Sequence, residues 1–91
     1  MKALVLAGGI SQAALVKELK SRGIYTILAD RNIKAVACAY ADEVYPVSAL
    51  DEEGVYQLAV KEKVDLVITA CADQVLLITA KVSERLGLPC Y

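Results

Sequence analysis

Short apolar runs alternate with amphipathic stretches along this chain. Five runs have this character, at 2–7, 25–29, 43–47, 64–70 and 88–91. Apolar runs of this length, rich in Val, Ile and Leu, are typical of strands in a parallel sheet. Between the runs, apolar residues recur at three- and four-residue spacing, which predicts helices. The chain therefore predicts strands and helices in regular alternation.

The first predicted helix follows the opening strand. Ser11 is a natural N-cap, and Leu15, Val16 and Leu19 form one apolar face. Gly23 stops the helix, because glycine readily adopts the left-handed conformation found after a helix end. The next strand must then pair in parallel with the first through a right-handed crossover.

The middle of the chain predicts a short helix, an edge strand and a second crossover helix. The alanine-rich stretch 33–41 predicts the short helix, and the strand at 43–47 is assigned to an edge because Pro46 cannot donate to a sheet ladder. Acidic residues at 51–53 suit the first turn of the next helix, where the helix dipole favours negative charge. The apolar face of that helix consists of Val55, Leu58 and Ala59.

The last helix has the clearest periodicity in the chain. Its apolar face consists of Val75, Ile78, Thr79, Val82 and Leu86. Lys81 and Arg85 near its end and Gly87 after it are typical of a helix C-terminus. The run 64–70 before it predicts a central strand, and 88–91 resembles the start of a fifth strand. From that last feature we expect the sequence to be part of a longer polypeptide.

The order β-α-β-α-β-α-β-α-β specifies an α/β fold, a small open doubly wound parallel sheet of Rossmann-like type over residues 1–91. We expect the strand order 3-2-1-4-5, which reverses beside strand one. Ligands of such sheets bind outside the carboxyl ends of the strands at the reversal. The residues placed around that crevice are Gly8, Gly9, Ile10, Ser11, Gln12, Asp30, Arg31, Cys71, Ala72 and Asp73.

Composition limits the class of protein. Ninety-one residues make one small domain, and the 57% content of hydrophobic residues exceeds the roughly 45–50% of ordinary globular proteins. We therefore expect the domain to bury an apolar patch against a partner, as a symmetric homodimer when alone. The net charge of −1 contains no block of one sign, which excludes the usual nucleic-acid and membrane surfaces. With no signal peptide or membrane span in the pattern, we expect a cytoplasmic protein.

Cysteine and histidine counts remove several kinds of chemistry. The three cysteines, Cys38, Cys71 and Cys90, are widely separated and form no C-x-x-C motif, so reduced thiols are expected rather than disulfides or a zinc site. The chain contains no histidine, which excludes Ser-His and Cys-His nucleophiles and histidine metal ligands within it. We therefore predict no catalytic residue, no metal site and no cofactor in these 91 residues.

The glycine turn does not match the dinucleotide fingerprint G-x-G-x-x-G. Asp30 falls 22 residues after Gly8, near the spacing of the ribose-binding acid, but the second glycine of the fingerprint is Ile10 in one register and Ser11 in the other. A side chain there obstructs close approach of the backbone to a pyrophosphate. No Gly-Lys-Ser/Thr follows the glycines either, so the phosphate-binding P-loop pattern is absent.

Each candidate residue also has a purely structural explanation. The glycines are also explained by a tight turn alone, and Ser11 by a helix N-cap alone. Asp30 is also explained as a solvated turn residue. Asp73 is explained equally as the N-cap of the last helix, and Cys71 as a small buried side chain. A ligand-binding role for the glycine turn is the alternative that we favour, because helix N-termini attract anions.

Four segments together resemble the N-terminal pre-ATP-grasp domain of ATP-grasp enzymes. They are KALVLAGGISQAALVKELKSRGIYTILADRN, AYADEVYPV, VDLVITACADQ and ERLGLP, and the likeness covers essentially the whole chain. It is greatest to carbamoyl-phosphate synthase large-subunit-like proteins, with biotin carboxylase and the purine-pathway carboxylate ligases as cousins. The order of the motifs is more specific than any one motif.

The resemblance implies one wall of an acceptor-substrate cleft. In the family this domain helps to bind a carboxylate-type or phosphate-bearing acceptor, and a following ATP-grasp domain, in the same or a separate chain, uses ATP and Mg²⁺ to activate a carboxylate. The family's glycine turn matches residues 8–12, with Ser11 where relatives carry Glu. The family's polar residue after strand four corresponds to Asp73 and Gln74, and Asp30-Arg31 matches the end of strand two.

Two hypotheses follow from the sequence. The first is the N-terminal substrate-side domain of an ATP-dependent carboxylate-amine or ammonia ligase of the ATP-grasp family, catalytically inert alone. The second is a free-standing Rossmann-type module that senses a nucleotide or another ligand.

Overall fold

Four strands and three α-helices alternate along the chain in the computed structural model, which describes residues 1–7, 10–32, 34, 36–70 and 74–88. The strands are β1 (Lys2–Leu6), β2 (Tyr25–Ala29), β3 (Glu43–Tyr45) and β4 (Leu66–Ile68). The helices are α1 (Ile10–Ser21), α2 (Glu52–Glu62) and α3 (Gln74–Leu86), with a 3₁₀ turn at Val36–Ala39. No helix in this described part is long and apolar enough to cross a membrane.

The sheet is parallel throughout and has the order β3-β2-β1-β4. Residue Leu4 of β1 is paired with Ile27 of β2 on one side and with Val67 of β4 on the other. The predicted order 3-2-1-4 and the edge position of β3 are thus confirmed. The predicted fifth strand falls mostly on residues 89–91, which lie outside the described residues.

The core has two halves, one on each face of the sheet. On one face, α1 and the 3₁₀ turn cover the alternate side chains Ala3 and Val5 of β1. On the other face, α2 and α3 cover Leu4 and Leu6, and all four of these β1 side chains are fully buried. The alternation follows from strand geometry, in which successive side chains point to opposite faces. The chain therefore forms the two-sided, doubly wound architecture that its pattern predicts.

All three helices end in the same left-handed conformation. Gly23 and Gly87 have φ of 74° and 70°, as expected for glycine after a helix. After α1, the backbone N–H of Ile24 donates to the Leu19 carbonyl at 3.1 Å, which satisfies an acceptor at the helix end. Lys63 takes the equivalent position after α2 with φ of 54°, although it is not a glycine. The predicted helix stops at Gly23 and Gly87 are confirmed.

Asp51 caps α2, and the predicted acidic first turn is confirmed. Its carboxylate accepts a hydrogen bond from the Gly54 N–H at 3.1 Å, with Glu52 and Glu53 in the turn that follows. A Cβ on Gly54 would collide with the Asp51 carboxylate, so the cap requires glycine there. Arg85 of α3 pairs with Glu53 at 2.9 Å and joins the two helices.

Several predicted boundaries differ from the structure, among them those of β4, which is Leu66–Ile68 within the predicted strand 64–70. α1 begins at Ile10, so Ser11 lies inside its first turn rather than capping it. Within the predicted short helix at 33–41, the structure has the 3₁₀ turn Val36–Ala39. β3 ends at Tyr45, two residues before the predicted end, because Pro46 has no N–H to continue the ladder.

The edge strand β3 is attached to its neighbours by charged side chains. Asp42, just before it, accepts from the Thr26 N–H at 2.8 Å and lies 3.4 Å from the Lys20 ammonium. These two contacts, the backbone hydrogen bond first, lower the pKa of the Asp42 carboxyl. On the opposite face, the Tyr45 hydroxyl donates to Glu62 at 2.6 Å. The hydrogen bond to that carboxylate raises the pKa of Tyr45.

Replacing Ser83 with alanine should stabilise the protein. The Ser83 side chain on α3 is fully buried, and its hydroxyl has no hydrogen-bond partner in the described part of the chain. Because an unpaired buried hydroxyl is costly and alanine favours helix, Ser83→Ala should raise the free energy of unfolding by about 1 kcal/mol. Urea denaturation of the two proteins measures the difference.

The matched control is Thr79→Val on the same helix. The Thr79 hydroxyl is also buried, but it donates to the Val75 carbonyl at 2.9 Å. Its loss should therefore bring no gain in stability. A Ser83→Ala protein less stable than the wild type would contradict the structural account of this hydroxyl.

Candidate functional site

The candidate site lies where the carboxyl ends of β1, β2 and β4 meet. Leu6 at the end of β1 is in register with Ala29 at the end of β2, and Val5 is in register with Ile68 at the end of β4. From β1 the chain passes to α1 on one face, and from β4 it passes to α3 on the other face. The sheet order therefore reverses between β1 and β4, where a crevice forms in folds of this type.

A chain of hydrogen bonds spans this reversal. The Gln12 side-chain amide donates to the Thr69 hydroxyl at 3.1 Å, and that hydroxyl donates to the Leu6 carbonyl at 3.1 Å. Gln12 is only 2% exposed, although it lies in the first turn of α1. The chain thus joins the start of α1 to the ends of β4 and β1. Its members fix the relative position of the three elements that border the crevice.

Ala7 enters the glycine turn in a strained conformation. Its φ is 73°, in the left-handed region that costs an L-residue roughly 1–2 kcal/mol. Its N–H donates to the Ala29 carbonyl at 2.9 Å, which continues the β1–β2 pairing one residue beyond the strand. Backbone strain of this kind is concentrated at functional sites, because the surrounding structure must hold it in place. The strain lies directly before Gly8.

Asp30 and Arg31 lie at the carboxyl end of β2, as predicted. The Asp30 carboxylate is half-buried and accepts from the Asn32 N–H, and the Asp30 N–H donates to the Tyr45 carbonyl at 3.2 Å. Arg31 is exposed. Both residues border the crevice from the side of β2, and the carboxylate also stabilises the turn that follows.

The remaining predicted site residues are only partly described. Gln74 is exposed and begins α3. Ile10 and Ser11 belong to the first turn of α1, but their side chains are outside the described part. The predictions that lie wholly outside the described residues concern Gly8, Gly9, Cys71, Ala72 and Asp73. Among the predicted site residues, Gln12 thus makes a hydrogen bond across the crevice, to Thr69.

Two residues at the site were not predicted from the sequence. Thr69 lies in the apolar run 64–70, where it was counted as part of a strand, although β4 ends at Ile68. A polar side chain at the end of a buried strand is the signal that could have identified it. Ala7 gave no signal, because alanine is compatible with many backbone conformations and its positive φ depends on the turn.

The described groups at the crevice can donate and accept hydrogen bonds. They comprise an amide, a hydroxyl, a carboxylate, a guanidinium and the backbone N–H groups at the start of α1, which favour anions. In the described part of the chain, no group of three or more His, Cys, Asp or Glu side chains could hold a metal ion.

Comparison with solved structures identifies synthetases with the same fold. Phosphoribosylglycinamide synthetase from Anaerococcus prevotii superposes with a TM-score of 0.84 at 26% identity, covering 97% of this chain and 23% of that one. N5-carboxyaminoimidazole ribonucleotide synthetase from Thermotoga maritima gives a TM-score of 0.75 at 21% identity, with coverage of 92% and 23%. Both are enzymes of the ATP-grasp family. The chain spans about a quarter of the length of these neighbours.

A nucleotide-dependent enzyme of another class has the same fold. UDP-glucose 4-epimerase from Thermus thermophilus, in complex with NAD, gives a TM-score of 0.74 at 17% identity and covers 97% of this chain and 35% of that one. No protein-family model matches the sequence, and no curated protein matches it. The Rossmann-like α/β fold expected of a pre-ATP-grasp domain is therefore shown by the structure and its neighbours.

Removing the Thr69 hydroxyl should destabilise the protein. Thr69→Val keeps the shape of the side chain but breaks both hydrogen bonds and leaves the buried Gln12 amide without this partner. We expect a loss of about 1–3 kcal/mol in the free energy of unfolding, measured by urea denaturation. Thr69→Ser retains the hydroxyl and should lose less than about 1 kcal/mol.

A double-mutant cycle with Gln12→Leu isolates the Gln12–Thr69 contact. Because the two side chains contact each other, the losses of Gln12→Leu and Thr69→Val should not add, with a coupling energy of about 1 kcal/mol. Strictly additive losses would contradict a hydrogen bond between these residues.

Proposed function

We propose that this chain is the N-terminal, substrate-side domain of an ATP-dependent ligase of the ATP-grasp family. The observation that carries the proposal is the likeness to phosphoribosylglycinamide synthetase, at 26% identity over 97% of the chain. The crevice at the carboxyl ends of β1, β2 and β4 supports it, since its amide, hydroxyl and guanidinium groups can bind an acceptor. In this proposal the domain binds and orients the acceptor and is inert alone.

The finer assignment is a carboxylate-amine or ammonia ligase similar to carbamoyl-phosphate synthase. Its support is the order of sequence motifs, from the glycine turn at 8–12 to the Gly-Leu-Pro at 87–89. The acceptor is then a small carboxylate-type molecule, seated against the first turn of α1. Gln12 and Thr69 hold that wall in place, and Arg31 offers a positive charge at the rim.

ATP and Mg²⁺ belong to the partner domain in this proposal. ATP supplies the phosphoryl group that activates a carboxylate, and the described part of this chain provides no cluster of metal-binding side chains. The ATP-grasp domain lies in the same polypeptide or in a separate chain. This chain contributes the surface that keeps the acceptor oriented while water is excluded from the cleft.

The first experiment is to sequence the gene beyond Tyr91 and to express the complete protein. We expect an ATP-grasp domain to be encoded in frame or in a neighbouring gene. The complete protein should release ADP from MgATP only when a carboxylate or bicarbonate and an amine or ammonia are both present. The 91-residue chain alone should release none. A stop codon after Tyr91, with no ATP-grasp domain encoded nearby, would contradict the proposal.

Arg31→Ala tests the crevice in the complete protein. Loss of a charged contact to an anionic acceptor should raise KM for the acceptor about tenfold and leave KM for ATP within about twofold. Lys81→Ala, which removes another exposed cation but from α3, is the matched control and should change neither constant. Equal effects of the two substitutions would place the acceptor elsewhere.

A free-standing sensor module is the second candidate function. The specific observation that favours it is the likeness in fold to the epimerase bound to NAD. Thermal-shift measurements with NAD, NADP, UDP-glucose, bicarbonate and acetate distinguish the two hypotheses. Stabilisation by a dinucleotide or UDP-glucose, with none by the small anions, would support the sensor and contradict the ligase domain.

A further inference from the structure

An apolar groove runs between α1 and β4 on the α1 face of the sheet. It encloses about 280 Å³. Its floor consists of Leu66 and Ile68 of β4, and one wall consists of Leu15 and Leu19 of α1. Ile68 and Leu15 are only half-buried, so apolar surface remains open to solvent. Apolar surface of this kind, gathered in a concave site, is typical of an interaction surface.

The groove is on the part of this face that the described helices leave uncovered. α2 and α3 pack on the opposite face, and α1 contacts mainly β1 and β2 together with the 3₁₀ turn. The groove runs along β4 from Leu66 at its amino end to Ile68 at its carboxyl end. Ile24, which lines it, precedes β2, and Leu66 begins β4, so this end of the groove is at the amino ends of the strands.

Two opposite charges border the groove on α1. Glu18 and Arg22 lie one helical turn apart, and the guanidinium Nη2 is 2.8 Å from the carboxylate Oε1. Their side chains are 59% and 68% exposed, respectively, so both can reach a partner. In a twofold arrangement with antiparallel α1 helices, each Glu18 would face Arg22 of the second copy. A surface with one acid and one base in this order is complementary to itself.

We propose that the groove is the contact surface of a symmetric homodimer of this chain. The apolar floor and wall of the groove become buried between the two copies. The reciprocal pairing of Glu18 with Arg22 of the second copy fixes how the two α1 helices align. A partner surface of uniform charge would meet one like charge at this rim, which disfavours it. The net charge of −1 adds no appreciable repulsion between copies. The proposal is independent of the ligase function, because the groove residues that carry it are different from those assigned to the acceptor.

Charge reversal provides the sharpest test. In sedimentation velocity from about 1 to about 100 µM, the wild type should change from monomer to dimer. Glu18→Arg and Arg22→Glu each place like charges against each other, so each variant alone should dimerise at least about tenfold more weakly. An equimolar mixture of the two variants restores opposite charges at both positions and should form heterodimer with the affinity of the wild type.

A second pair of variants tests the apolar part of the groove. Leu15→Glu puts a charge on the groove wall and should give monomer, while Leu50→Glu, at another exposed leucine outside the groove, should dimerise as the wild type does. Circular dichroism melting of every variant verifies that the fold is retained. Any one of four results would overturn the proposal. The first two are a wild type that stays monomeric at about 100 µM and single reversals that dimerise normally. The others are a mixture of the two reversals that does not form heterodimer and equal effects of Leu15→Glu and Leu50→Glu.

Discussion

The pairing of β1 with both β2 and β4 is the constraint on which the rest of the structure depends. β1 is the first strand in the chain, yet it lies inside the sheet, and its residues from Ala3 to Leu6 are fully buried. A strand with a parallel neighbour on each side forces the connections onto opposite faces, since crossovers are right-handed. The two halves of the core, the reversal of strand order and the crevice at the end of β1 all follow from this position.

The end of β1 is also where the fold is least relaxed. Ala7 has a positive φ, and the buried Gln12 amide is bound to Thr69 rather than solvated. Both arrangements cost free energy unless the surrounding residues hold them. A helix start, a strained turn and a satisfied polar link therefore occur together at one place, beside the carboxyl end of β2. This concentration is what distinguishes the carboxyl ends of the strands from their amino ends.

Much of the fold could be predicted because local signals and tertiary structure agree. The apolar run at 25–29 is β2 residue for residue, Glu52 and Glu53 lie in the first turn of α2, and Gly23 and Gly87 end their helices. Local signals were less exact at the ends of elements, as at β4, which is shorter than the apolar run 64–70, and at α1, where Ser11 lies inside the first turn rather than capping it. The crevice could be placed from strand order alone, and Gln12 was among the predicted residues. The position of Thr69 at the end of a buried strand was a sequence signal, but its bond to Gln12 could not be predicted, because the two residues are 57 positions apart in the sequence.

The central claim is that the carboxyl ends of β1, β2 and β4 form the ligand-binding wall of this domain. The most direct measurement is a ¹H–¹⁵N NMR titration of the chain with inorganic phosphate, bicarbonate and acetate in turn. The account predicts that the largest amide shift changes occur at Leu6, Ala7, Asp30 and Thr69, on the three strand ends. Largest changes at the opposite ends of the strands, around Ile24 or Asp65, would contradict it.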